Sequence, residues 1–312
     1  MTHRSLRDGL RVHRRTLLLG GLAVGVGGRT TTAAASVGAS QILGSVKSST
    51  LTPQRVTQYR PPLGIAPAGT TSVGRRDYSF ERGADRPLPT RVWYPVGAGP
   101  FPVVVFSHGL LAQPDDYAAL LVSWARAGFV VAAPLYPHTS LGTSSYNLYD
   151  IANQPADASA VLSQVLALNF ADGPLRGRLD ATRVAAAGHS AGGITTVGMF
   201  SARRDTRLKA GVVLAGTDFL GTPFTGPAAA MLFVQGRLDQ TVAWSAAHTV
   251  FQAVPWSRAM LTVTDGGHQT GAREFPSVSS TSAAFLRWSM YGCAPDLTAA
   301  ADITTLDNQL TA

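Results

Sequence analysis

The segment Gly188-His189-Ser190-Ala191-Gly192 constrains the fold of this chain more than any other. It matches the Gly-x-Ser-x-Gly pattern, in which the serine stands on a sharp turn between a strand and a helix. The apolar run 183–187 predicts a buried strand before it, and residues 194–200 predict a helix after it. Glycine neighbours suit such a turn because its backbone is strained and closely packed. The segment therefore predicts a nucleophilic Ser190 above a sheet edge, at a helix N-terminus. The alternative is a glycine-rich turn with an incidental serine.

Apolar runs and helical patterns alternate along most of the chain. Strands that alternate with helices in this way predict an α/β fold with a mostly parallel sheet and helices on both faces. The predicted strands are 73–80, 91–94, 103–106, 129–133, 183–187, 210–214, 230–234 and, as the last one, 259–263. Besides the helix after Ser190, the predicted helices are 117–127, 155–168, 244–254 and 281–290.

Composition and charge bound the class of protein. The 312 residues are 45% hydrophobic and 14% charged, which is enough for one α/β domain with a sizeable core. The net charge is +8, but residues 1–39 carry six arginines and one aspartate, which leaves +3 for the remainder. Because the remaining basic residues are scattered, no nucleic-acid partner is expected.

The N-terminus has the pattern of an export signal. Residues 13–19 resemble a twin-arginine motif, and the apolar stretch 17–26 is shorter than the ~20 residues that span a bilayer. Small residues follow, with cleavage candidates at 33–35 and 37–39. Residues 1–39 are therefore predicted to engage the twin-arginine export machinery and to be removed. The mature protein is then expected in the periplasm, cell envelope or medium, without a stable membrane span. A membrane anchor and a disordered basic arm are the alternatives.

Two further segments complete the predicted organisation. Residues 40–72 are rich in Ser, Thr, Pro and Gly and are predicted to be a linker or lead-in. Residues 73–312 are predicted to form one catalytic α/β domain. The single cysteine, Cys293, excludes an intramolecular disulfide and any multi-cysteine metal site. No metal and no organic cofactor are expected.

A serine hydroxyl needs a base, usually a histidine that a carboxylate orients. In an α/β sheet these groups come from loops at the carboxyl ends of strands. Asp239 and His268 follow predicted strands in this way, in the chain order Ser, Asp, His. Asp218 and Asp265 are competing acids. Asp239 could alternatively cap the helix that follows it, and His268 could be a surface histidine.

A second loop offers donors for a developing oxyanion. Gly109 follows the strand 103–106 and lets the backbone turn, so that the Leu110 N–H can face the serine. The Ala191 N–H is the expected second donor. A glycine turn without a catalytic role is the alternative. Leu110 and its neighbour Leu111, together with Phe219, predict an apolar cleft for an acyl or alcohol group.

Together, the strand order, the His-Gly loop, the Gly-x-Ser-x-Gly segment and the later acid and histidine resemble the α/β-hydrolase family over residues 73–290. The resemblance is strongest to bacterial cutinases, polyester hydrolases, and chlorophyllase-like and platelet-activating-factor-acetylhydrolase-like esterases. It implies one α/β-hydrolase domain, a Ser190–His268–Asp239 triad and an acyl-enzyme. The implied substrate is a small-molecule or lipid-like ester. The alternatives are an amide or peptide hydrolase with the same triad and a catalytically silent binding protein on this fold.

Three departures separate the chain from the polyester-degrading members. Those enzymes usually have methionine after the nucleophile, and Ala191 stands there in this chain. They have a tryptophan where this chain has residues 215–218, and a cysteine pair where it has Cys293 alone. These differences argue against polyester or cutin hydrolysis and leave a general esterase as the expectation.

Overall fold

The computed structural model describes residues 51–219, 221–294, 297 and 303–310. The predicted export signal 1–39 and the first part of the predicted linker 40–72 lie outside the described residues. Within the described part of the chain, no helix has both the length and the apolarity needed to cross a bilayer.

The described strands form one mixed sheet of nine strands, in the order β1-β2-β4-β3-β5-β6-β7-β8-β9. Strands β3 to β8 run parallel to one another, and β1, β2 and β9 pair antiparallel with their neighbours. The strands are β1 (Val73–Glu81), β2 (Pro87–Pro95), β3 (Phe101–Ser107), β4 (Val130–Pro134), β5 (Leu179–His189), β6 (Leu208–Leu214), β7 (Ala230–Gly236), β8 (Arg258–Val263) and β9 (Thr304–Gln309). The α-helices are α1 (Ala118–Arg126), α2 (Gln154–Ala167), α3 (Ala191–Phe200), α4 (Trp244–Ala253) and α5 (Phe275–Tyr291).

The central strands are buried on both faces. Alternate side chains of β3 point to opposite sides, so Val103 and Val105 belong to one core cluster and Val104 and Phe106 to another. The first cluster contains buried residues of α2, α3 and α4, and the second contains those of α1 and α5. The prediction of a mostly parallel sheet with helices on both faces is therefore confirmed.

Two sequence predictions near the C-terminus are wrong. Strand 259–263 is not the last one, because β9 follows and pairs antiparallel with β8. Its sequence is polar apart from Leu306, which packs against the core, and Thr304 is its one buried residue. The last helix starts at Phe275 instead of Thr281, and Pro276 stands in its first turn, where proline is well tolerated.

The described lead-in residues 51–72 form neither a helix nor a strand of the main sheet, but they pack on the domain. Tyr59 is buried, and its hydroxyl donates a 2.9 Å hydrogen bond to the carbonyl of Ser289. Thr57 forms an isolated bridge with Trp256.

A buried ion cluster fixes the start of α2 and the short 3-10 segment Leu148–Ala152 before it. The Arg86 guanidinium donates to Asp150 at 2.9 and 3.0 Å and to Asp157 at 2.9 Å. Arg82 donates to Asp157 as well, at 2.6 Å. Because Asp157 is fully buried, losing these partners would leave an uncompensated charge in the interior. The cluster therefore holds in place a segment that borders the candidate site.

The beginning of α3 crosses very close to the end of β3. A Cβ atom at Gly192 would overlap the carbonyl group of Ser107, and one at Gly188 would overlap the carbonyl of Gly192. The turn around Ser190 therefore closes only because both positions lack a side chain.

We expect Gly192→Ala to lower the free energy of unfolding by about 1–3 kcal/mol or more, because a side chain in this close contact would force the backbone to shift. The matched control is Gly267→Ala, where a Cβ would meet no atom within 4 Å. Urea unfolding of both variants measures the difference. Equal midpoints for the two variants would contradict the close approach of α3 to β3.

Candidate active site

Ser190 stands between β5 and α3, on the sharp turn that the sequence predicts. Its φ of 55° and ψ of −118° lie outside the regions that L-residues usually adopt, which is a mark of stored backbone strain. The turn is held because the Ser190 N–H donates to the carbonyl of Leu214 at 2.9 Å and the Ser190 carbonyl accepts from Ile194 at 3.0 Å.

The structure brings Ser190, His268 and Asp239 together. His268 lies in the loop between β8 and α5, with Nε2 2.9 Å from Ser190 Oγ and Nδ1 2.8 Å from Asp239 Oδ2. A carboxylate only accepts hydrogen bonds, so Nδ1 donates to Asp239. In the neutral ring, Nε2 is then the acceptor for the Ser190 hydroxyl. The arrangement can take a proton from Ser190.

Asp239 follows β7, and its side chain is fully buried. Burial raises its pKa, but the His268 hydrogen bond and the N–H groups of Val242 and Thr241 outweigh burial and hold the pKa below 3.8. Those N–H groups donate at 2.9 and 2.8 Å, and the Gln235 amide donates at 2.8 Å. The carboxylate is therefore ionised at neutral pH beside the imidazole.

The positions of the three candidate acids show which of them contacts His268. The residue that precedes α4 as its N-cap is Ala243, so Asp239 is not the cap of that helix. Asp218 is buried, accepts a hydrogen bond from the Gly221 N–H, and lines a small pocket with Phe219. Asp265 is exposed. The carboxylate in contact with His268 is that of Asp239.

The loop after β3 lies against the serine. A Cβ at Gly109 would stand 3.4 Å from Ser190 Cβ but only 2.9 Å from the Tyr117 hydroxyl oxygen, so a side chain there would crowd Tyr117. Leu111 has a φ of 55°, and its N–H donates to Thr139 at 2.7 Å. Among the described residues, neither the Leu110 N–H nor the Ala191 N–H has a hydrogen-bond acceptor. Ala191 is the first residue of α3, where an N–H has no partner within the helix.

An apolar cluster borders these two N–H groups. Its buried members are Leu148, Ile151, Ala191 and Ile194, and Leu110 and Phe219 pack against them. Leu148 and Ile151 come from the ion-anchored segment before α2. Leu110 and Phe219 thus lie in one apolar surface, whereas Leu111 is not part of this cluster. The sequence reasoning did not identify Leu148, Ile151 and Ile194.

Two further side chains connect the loops of the site. The Tyr117 hydroxyl lies 3.0 Å from the Gly109 nitrogen and 3.0 Å from His189 Nδ1, and His189 Nε2 lies 2.8 Å from the carbonyl oxygen of His268. Burial, reinforced by the neighbouring His268, lowers the pKa of His189 to about 4. The sequence reasoning treated His189 only as part of the turn and gave Tyr117 no role.

No cluster of three or more His, Cys, Asp or Glu side chains that could hold a metal ion occurs in the described ranges.

Comparison with known proteins places the chain in a family. A family model described as chlorophyllase matches residues 67–222, which contain the loop after β3 and Ser190. Platelet-activating factor acetylhydrolase from Cavia porcellus is 30% identical over 152 residues. That match covers 36% of this chain and 34% of the relative, so the chain spans about a third of that protein's length. The chain belongs to the chlorophyllase family, within the α/β-hydrolases of the serine esterase type.

Proposed function

We propose that this protein hydrolyses carboxylic esters through an acyl-enzyme on Ser190. The observation that carries the proposal is the continuous hydrogen-bonded series from Ser190 Oγ to His268 and from His268 to a buried, ionised Asp239. Membership of the chlorophyllase family and the similarity to an acetylhydrolase support ester hydrolysis as the reaction class.

The first half of the reaction acylates the serine. Ser190 Oγ attacks the ester carbonyl carbon while its proton passes to His268 Nε2. The tetrahedral intermediate collapses as His268 returns that proton to the alcohol oxygen, and the C–O bond to the alcohol breaks. Asp239 holds the imidazole in the required tautomer and stabilises the imidazolium.

The second half regenerates the enzyme. Water attacks the acyl carbon as His268 takes one of its protons, and the proton then passes to Ser190 Oγ as the acid leaves. In both halves the negative oxygen is proposed to accept hydrogen bonds from the Leu110 and Ala191 N–H groups. One such donor is typically worth ~2.7–4 kcal/mol of barrier.

The apolar cluster beside these donors is proposed to hold the acyl group. Ile151, Ile194 and Phe219 line a small pocket, and Ala191 belongs to the same apolar cluster. Asp218 also lines this pocket, and the apolar part of its wall fits the acyl chain of a small-molecule or lipid-like ester. A short acyl group is also what the name of the Cavia porcellus relative describes.

We further propose that the protein is exported. The support is the twin-arginine-like pattern in residues 13–19, followed by a short apolar stretch and small residues.

With purified mature protein, we expect turnover of p-nitrophenyl esters that falls about 10⁶-fold in Ser190→Ala, as in other serine-triad knockouts. Asp239→Asn should fall about 10⁴-fold because the histidine then holds the wrong tautomer. Steady-state kinetics, together with fluorophosphonate labelling of Ser190, measures both effects.

The controls for this triad are Asp218→Asn and Asp265→Asn, which should lose far less activity than Asp239→Asn. A Ser190→Ala variant that keeps most of its activity would rule out the mechanism, and equal losses in the Asp218 and Asp239 variants would rule out Asp239 as the orienting acid. Faster turnover of matched anilides than esters would favour an amide hydrolase. Absence of both turnover and labelling would indicate a binding protein.

We expect Phe219→Ala to shift the preferred acyl chain towards greater length, because it opens the pocket beside Ile194. Each extra methylene that becomes buried is worth ~0.8 kcal/mol, or about fourfold in kcat/KM. The measurement is kcat/KM for p-nitrophenyl esters from acetate to octanoate. Phe170→Ala, at an exposed phenylalanine, is the control. An unchanged profile in Phe219→Ala would remove this side chain from the acyl pocket.

For export, we expect the full chain in a bacterial host with a twin-arginine pathway to yield a shortened extracytoplasmic protein. Replacing Arg14 and Arg15 by lysine should retain the precursor in the cytoplasm. N-terminal sequencing and cell fractionation measure both effects. Export that is unaffected by the double replacement would contradict the twin-arginine assignment.

A further inference from the structure

Building on the proposed function, we propose that Tyr117 and His189 are positioning residues. Their side chains form a directional hydrogen-bonded link that fixes the loop of the oxyanion donor Leu110 relative to the loop of the base His268.

The direction of the link follows from its two ends. The carbonyl oxygen of His268 can only accept, so His189 Nε2 donates to it at 2.8 Å. In a neutral ring Nδ1 then accepts, and the Tyr117 hydroxyl is its donor at 3.0 Å. The Tyr117 oxygen in turn accepts from the Gly109 N–H at 3.0 Å. Each of the three hydrogen bonds therefore has one donor and one acceptor, and the three assignments are mutually consistent.

The protonation states that this direction requires are favoured by burial. Burial, together with the charge on a protonated His268, lowers the pKa of His189 to about 4, so the ring is neutral at physiological pH. Burial raises the pKa of Tyr117 to about 12, so its hydroxyl keeps the proton that it donates.

At the His268 end, the link holds the main chain of the proposed base directly. Among the described residues, the bond from His189 is the one hydrogen bond that the His268 main chain makes. Gly266 and Gly267 precede it, and a Cβ at Gly267 would meet no atom within 4 Å. Gly266 is held by hydrogen bonds with Leu238 and Val263, so without the link the nearest main-chain restraint would lie two residues before His268.

At the other end, the link holds the residue next to the oxyanion donor. Gly109 directly precedes Leu110, whose N–H has no acceptor among the described residues. Tyr117 is itself fixed at the start of α1, with its ring packed on Phe106 of β3 at a centroid distance of 4.9 Å. The oxyanion loop is therefore connected both to the core and, through His189, to the base.

We expect the link to affect the rate of the chemical step and not the binding of substrate. Neither side chain belongs to the apolar cluster proposed to hold the acyl group. The link sets the separation between the base and the oxyanion donor, and a misplacement of about 1 Å in such geometry costs about 10²-fold in rate.

The test is Tyr117→Phe, which keeps the ring packing and removes the hydroxyl. We expect kcat on a p-nitrophenyl ester to fall about 10–100-fold with KM unchanged, and fluorophosphonate labelling of Ser190 to slow in parallel. The matched control is Tyr59→Phe, which removes another tyrosine hydroxyl that donates to a backbone carbonyl, that of Ser289. It should lose comparable stability and keep its kcat.

His189 provides the second arm of the test. His189→Gln retains a donor that can reach the His268 carbonyl, so it should keep more kcat than His189→Leu. Because both residues act through one link, Tyr117→Phe combined with His189→Leu should be no slower than His189→Leu alone.

A wild-type kcat in Tyr117→Phe, or a loss that merely follows the folded fraction as in Tyr59→Phe, would overturn the positioning role. If Ser190→Ala is inactive in the same assay, the proposed esterase function stands and only the link is wrong. An active Ser190→Ala variant would overturn both.

Discussion

The close approach of helix α3 to strand β3 is the constraint on which the rest of the site depends. The carbonyl of Ser107 occupies the space that a side chain at Gly192 would need, and the carbonyl of Gly192 occupies the space that one at Gly188 would need. Because both positions are glycine, the chain can turn sharply between them. That turn raises Ser190 above the sheet and leaves the first N–H of α3 without a helical partner. It also lets Gly109 lie against the serine. One steric condition therefore supplies both the proposed nucleophile and the proposed oxyanion site.

The order of the parallel strands explains which acid meets His268. The loops after β5, β7 and β8 carry Ser190, Asp239 and His268, and all open at the same edge of the sheet. Strand β7 is the direct neighbour of β8, whereas β6, which Asp218 follows, is one strand further away. The sequence placed both acids on loops after strands and favoured Asp239 for its glycine-containing turn, and the strand order in the sheet gives the physical reason for the contact.

The features that the sequence predicted correctly are those encoded in local sequence patterns. Buried runs such as 103–106 and the glycine spacing around Ser190 are continuous in the chain, and they led to the fold class and the three residues now found in contact. Strand β9 was missed because it is polar and lies at an edge, where one pairing partner is enough to form it. The link from Tyr117 to His189 joins residues 72 positions apart and depends on side-chain direction, which no periodicity encodes.

The electrostatics of the site depend on His189 remaining neutral. The ring centroids of His189 and His268 are 5.0 Å apart, so a charge on the first would oppose proton transfer to the second. In the proposed reaction, a neutral His189 leaves the His268 imidazolium facing one ionised partner, Asp239, and the developing oxyanion facing backbone dipoles instead of a cation. Burial thus has a double effect. It keeps His189 uncharged, and it strengthens the interaction between Asp239 and the charge that forms on His268.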